Sequence, residues 1–258
     1  MILHGYGCSW TEGVGSDYEY EESLVDRDDK RLFRNNHSWV KKLAEKLKIN
    51  HINHGISGNA NNKIFNTIVE DVQTGRIKSD DFVAIMWSSS LRDYVPFLPK
   101  GEWVSWSVKH LMESPERFIN SYRSNNEKYN SFLIDYKDFF IGELFNQNYY
   151  NIVNQNYIVF IQKLFEFYKI KYVMCDGIEP MLIDLNPKDD VKDLINRNHY
   201  WGFDKHSFRE YLIETNMIDI WEYQDENFKS RATQHPNKKG YEMIADELYK
   251  FIQENKIS

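Results

Sequence analysis

Apolar residues along the chain fall into two kinds of run. Short runs at Met1 to Leu3, Phe82 to Trp87 and Ile170 to Cys175 read as strands, and Phe82 to Trp87, apolar without alternation, as a parallel strand covered by helices on both faces. A brief strand around Ile49 to Asn53 joins them. The other runs repeat at one-face helical spacing. After Asn36, the expected N-cap, Trp39, Val40, Leu43, Ala44 and Leu47 share a face. Ile64, Phe65, Ile68, Val69 and Val72 share another, with Gly75 as the stop. A strong helix is expected over Ile152 to Tyr168, and a last one from Lys238 carries Tyr241, Ile244, Ala245, Leu248, Phe251 and Ile252. Met217 to Ile220 is the expected fifth strand. Strand and helix alternate, which predicts an α/β class domain: three layers, α/β/α, around a doubly wound, mostly parallel five-stranded sheet.

Two stretches break this alternation and are expected to be insertions in a single domain. One, at about 95–150, is rich in aromatics and predicted mostly helical, as a lid or a dimer surface. The other, at about 179–215, carries His199, Tyr200, Trp201 and His206, an aromatic group read as packing before ligand contact. The acidic segment from Asp17 to Arg34 reads as a solvated loop with at most a short helix.

The chemistry gathers at the strand ends. The first strand runs into Gly5-Tyr6-Gly7-Cys8-Ser9-Trp10-Thr11-Glu12-Gly13, the second into His54-Gly55-Ile56-Ser57-Gly58-Asn59, and the third into Ser88-Ser89-Ser90. His235-Pro236-Asn237 precedes the last helix. In a doubly wound sheet these places converge on one edge. Ser9 is then a candidate nucleophile, His235 its base, and the N–H groups of Ser9 and Gly58 candidate oxyanion donors. Cys8 is the runner-up nucleophile, without a nearby positive charge to activate it. Arg92 and Asn59 are candidate substrate contacts, with a salt bridge to Asp93 the competing role for Arg92.

Composition narrows the function classes. A net charge of −7, without a basic stripe, argues against nucleic acid as a partner. Two cysteines, Cys8 and Cys175, cannot build a disulfide framework. No run approaches a membrane span or a secretory leader, so a cytoplasmic location is expected. His4, His51 and His54 lack metal-ligand spacing, and neither metal nor cofactor is expected. Aromatics at 16% fit core packing first and a carbohydrate-like ligand second.

The blocks around Ser9, Ser57-Gly58 and His235-Pro236 together resemble the SGNH (GDSL-type) hydrolases. The resemblance implies a flavodoxin-like core, Ser9 and His235 as catalytic residues, Gly58 as an oxyanion donor, and esters as substrates, often acetyl groups on sugars or acyl esters. Two positions depart from the family pattern. Trp87-Ser88-Ser89-Ser90 stands where an asparagine donor is usual, leaving a hydroxyl of Ser88 or Ser89, or Asn59, Asn61 or Asn62, to replace it. Ala232 stands where the acid three residues before the histidine is usual, leaving Asp225, Glu226, Asp176 or a backbone carbonyl as substitutes. The expectation is a serine ester hydrolase acting on a small-molecule or carbohydrate ester. Its rivals are an impaired relative serving as a binding module and, more weakly, a phosphate-cradling nucleotide binder, whose glycine motif is incomplete.

Overall fold

The structure is a computed structural model that describes residues 1–17, 27–97, 102–108, 127–181, 191–203, 205–215, 220–225 and 228–257. The strands are β1 (Ile2–Tyr6), β2 (Asn50–Asn53), β3 (Phe82–Trp87), β4 (Arg92–Phe97), β5 (Glu102–Ser107), β6 (Lys171–Asp176), β7 (Tyr200–Trp201), β8 (Ile220–Asp225) and β9 (Phe228–Pro236). The α-helices are α1 (Ser9–Glu12), α2 (Arg27–His37), α3 (Trp39–Leu47), α4 (Asn61–Gln73), α5 (Glu127–Phe139), α6 (Gln147–Tyr168), α7 (Phe208–Glu214) and α8 (Lys238–Glu254). Five strands form one sheet in the order β2-β1-β3-β6-β7, and every pairing in it is parallel.

The unbroken apolar strands divide their side chains by parity, as a strand with period two must. Phe82, Ala84 and Met86 of β3 join Val173 and Cys175 of β6 under α3 and α8. Val83, Ile85, Trp87, Tyr172 and Met174 pack on the other face against α4 and α6. Both faces are dry, so polar groups collect at the strand ends. The chain leaves β1 for β2 on one side and for β3 on the other, so the crevice beyond β1 and β3 is the topological switch point.

Several expectations are corrected. The fifth strand is Tyr200–Trp201, registered against Met174 and Cys175, and not Met217 to Ile220. Two buried residues carry too little periodicity to announce a strand. Ile220 instead opens β8, which pairs antiparallel with β9; Met217 lies outside the described residues. The aromatic stretch after Arg92 begins as the β4–β5 hairpin before any helix forms. The acidic segment is helical over Arg27–His37, with Asp28 and Asp29 in its first turn and Arg34 and His37 in its last, charges that complement the helix dipole. Glu21, Glu22 and Asp26 lie outside the described residues. The N-cap of α3 is Ser38, whose hydroxyl accepts from Lys41 N–H at 3.3 Å, because Asn36 is already inside α2. Among the described residues no helix is long and apolar enough to cross a membrane.

Candidate active site

From Tyr6 the chain turns through Gly7 and Cys8 into α1, which opens on Ser9. The Cys8 carbonyl accepts from the N–H groups of Thr11 and Glu12, each at 3.0 Å, and this tight turn holds Ser9 at the end of β1. His235 arrives from the opposite end of the sequence. Ile220 is registered with Pro236 and Glu222 with Ala232, so two steps along β8 face four along β9, and His235 sits in that bulge. Bulges re-aim side chains beside active sites. Directly after it, Asn237 caps α8 by accepting Gly240 N–H at 3.0 Å. Tyr241 of the same helix donates to the Val14 carbonyl at 2.6 Å, which ties α8 to the nucleophile turn.

The outcome is a hydrogen bond of 2.8 Å between Ser9 Oγ and His235 Nε2, joining residues 226 positions apart. Ser9 is only 6% exposed. For Nε2 to accept the serine proton, the imidazole must carry its own proton on Nδ1. That is the arrangement of a hydroxyl beside a general base.

Gly58 adopts φ +77°, and a Cβ there would meet nothing within 4 Å, so the backbone borders open space. Among the described residues neither Ser9 N–H nor Gly58 N–H donates to a protein group. Among the described residues these two backbone donors are left unused near the nucleophile turn. Asn59 reaches the same turn, donating to the Gly7 carbonyl at 3.4 Å.

The serine cluster beyond β3 is more occupied. Ser88 N–H donates to Asn61 Oδ1 at 2.7 Å, and Ser88 Oγ accepts from Arg92 Nη1 at 3.0 Å. The Ser89 hydroxyl donates to Glu179 Oε1 at 2.5 Å. Arg92 therefore rests on Ser88, while Asp93 accepts from Asn62 Nδ2 at 2.5 Å. Asn61 is a buried hub that also meets Asn154 Oδ1 at 2.8 Å.

Among the acids weighed for His235, Asp176 is engaged elsewhere: it accepts from Tyr200 OH at 2.6 Å and Met181 N–H at 3.1 Å. Burial pushes its carboxyl up to about 7. Asp225 pairs with Phe228 at the far end of the hairpin, and Glu226 lies outside the described residues. His199 has a packing role, stacked on Tyr172 at 4.2 Å with Nδ1 2.8 Å from the Tyr172 carbonyl. Trp201 likewise stacks on Phe208 at 3.7 Å. Cys8 and Cys175 are buried free thiols.

Sequence reading missed the charged frame around the nucleophile. Glu12 Oε2 accepts from both Ser57 N–H and Ser57 Oγ at 2.6 Å, and Glu12 Oε1 from Arg34 Nη1 at 3.2 Å. Arg34 Nε donates at 2.8 Å to Asp17, whose other oxygen accepts from Gly15 N–H at 3.3 Å. No local pattern announces these partners, which come from three separated segments. A cavity of about 730 Å³ borders the frame, lined by Glu12, Lys30, Arg31, Arg34, Ile56 and Ser57 among others.

No protein-family model matches the sequence, and no curated protein matches it either. Among solved structures, the chain is similar to a lipolytic protein of the G-D-S-L family from Veillonella parvula, at 13% identity, with 97% of each chain covered and a TM-score of 0.43. It is also similar to the psychrotrophic esterase EstA from Pseudoalteromonas sp., at 13% identity, covering 98% of this chain and 97% of that one, TM-score 0.40. A third is an acetylxylan esterase from Geobacillus stearothermophilus, at 14% identity, covering 97% and 93%, TM-score 0.40.

Proposed function

We propose that the protein is a serine ester hydrolase. Ser9 Oγ attacks the ester carbonyl carbon while His235 Nε2 takes its proton. The carbonyl oxygen, now negative, is received by Ser9 N–H and Gly58 N–H, with the Ser88 hydroxyl as the third candidate donor. Collapse of the tetrahedral species breaks the bond to the alcohol, which leaves with the proton from His235. Water, deprotonated by the same imidazole, then hydrolyses the acyl-serine and restores Ser9.

The observation that carries this reading is the 2.8 Å contact between Ser9 and His235.

Hydrolysis of p-nitrophenyl acetate, together with covalent labelling by a fluorophosphonate, tests it. Ser9→Ala abolishes labelling, and Ser9→Ala and His235→Ala each lower kcat by ~10³-fold or more. A wild type that is neither labelled nor active refutes the reading and leaves a ligand-binding module.

A further inference from the structure

Gly58 lies in a four-residue turn from Ile56 to Asn59, closed by Asn59 N–H donating to the Ile56 carbonyl at 3.0 Å. Its φ of +77° matches the third position of a type II turn. Ser57 is absent from the non-glycine residues with positive φ, which excludes the mirror-image type I′ form. A type I turn needs about −90° at the same position, and the two forms differ by a flip of the peptide between Ser57 and Gly58. That flip reverses the direction of the Gly58 N–H, and the glycine itself, which accepts the positive φ, favours the type II form. What remains to be fixed is where the turn sits relative to Ser9.

Glu12 fixes that place, by its position and its chemistry. It ends the same helical turn that Ser9 begins. One carboxylate oxygen accepts both Ser57 donors at 2.6 Å, and the other is held by Arg34 at 3.2 Å. The base of the loop is anchored as well: Asn53 Nδ2 donates to the Thr11 carbonyl at 2.7 Å, and Ile56 N–H to the Gly7 carbonyl at 3.3 Å. A Cβ at Gly55 would collide with the Glu12 backbone, so only glycine lets the two segments lie this close. Ser57 itself is exposed.

Building on the serine-hydrolase reading, we infer that Glu12 is a positioning residue that tethers the Ile56–Asn59 turn to the helical turn carrying Ser9, keeping Gly58 N–H in place for the oxyanion formed on Ser9. Arg34, anchored on Asp17, orients the carboxylate from behind.

The test compares Glu12→Ala with Glu12→Gln. The glutamine oxygen still accepts from both Ser57 donors but lacks the charge that pairs with Arg34. Glu12→Ala is expected to lower kcat on p-nitrophenyl acetate by ~100-fold, the scale of one lost oxyanion donor, with KM changed less than ~3-fold. Fluorophosphonate labelling should slow in proportion, and the pH dependence set by His235 should stay in place. Glu12→Gln is expected to stay within ~5-fold of wild type, because neutral acceptors replace charged ones at modest cost. Ser57→Ala, which removes one of the two bonds from an exposed residue and does not threaten folding, should be slower by ~3-fold. Glu12→Gln as slow as Glu12→Ala assigns the effect to the Arg34 ion pair and overturns the inference. So does Glu12→Ala, or Ser57→Ala if the former fails to fold, labelling at the wild-type rate. A wild type that is never labelled overturns the underlying serine-hydrolase reading, and the clamp's catalytic role with it.

Discussion

Replacing His54 with Phe asks whether a neutral imidazole pair beneath β1 sets the acid limit of stability. His4 lies on β1 and His54 follows β2, and Nδ1 of the first is 3.2 Å from Nε2 of the second. One nitrogen donates and the other accepts, so a proton on each would set two N–H groups face to face. His54 also stacks on Tyr6 with ring centroids 4.3 Å apart. Burial, followed by the charge of His4, lowers His54 from 6.5 to about 4, and burial lowers His4 as well. With the folded value below the unfolded one, the native state binds fewer protons between them. This stability is present above pH 6.5 and is lost as pH falls through about 4. A shift of ~2.5 units corresponds to about 3 kcal/mol. Phenylalanine keeps a ring against Tyr6 but leaves His4 Nδ1 without this partner, at a cost of about 1–3 kcal/mol near neutral pH. Urea unfolding followed by tryptophan fluorescence, repeated at intervals of pH, reads the difference. The wild type's advantage over His54→Phe should change by about 3 kcal/mol in the variant's favour from neutral pH to about pH 4, enough to cancel or reverse it. A gap independent of pH refutes the reasoning.

Asp176 supplies the opposite linkage: burial raises its carboxyl from 3.8 to about 7, so its contribution is full below the unfolded value and is lost as pH rises through the folded one. Asp176→Asn should therefore gain on the wild type over that window, by at most about 4 kcal/mol, in the same urea series; parallel curves would contradict this. Asn61→Ala should destabilise by about 3 kcal/mol, because it leaves the buried Ser88 N–H and Asn154 amide without their partner. Calorimetry should show a midpoint lower by ~6–10 °C, and an unchanged midpoint would remove Asn61 from its place as the hub.

The layers of the fold were legible in the sequence because they follow from local periodicity. Phe82–Trp87 is apolar throughout because both faces of β3 are covered, and the helical stripes of α3, α4 and α8 record the faces that cover them. Gly58 could be singled out as a glycine in a strand-end turn, whereas its positive φ came from the structure. His235 could be named as the base of Ser9 from the convergence of the strand ends, but not brought into contact with it. Their contact depends on the bulge in β9 and on the docking of α8, which no window of sequence contains.

Tertiary structure alone decided the rest. Tyr200–Trp201 is a strand only because β6 offers an edge for it, and Asn36 yields the cap to Ser38 only because α2 forms beside α3. Ser89 turns toward Glu179, and Glu12 is drawn to Ser57 and Arg34, through partners on segments far apart in the chain. Periodicity is written residue by residue and survives in one dimension. Hydrogen-bond partnership among charged side chains depends on distances that exist only after the strands have taken their order.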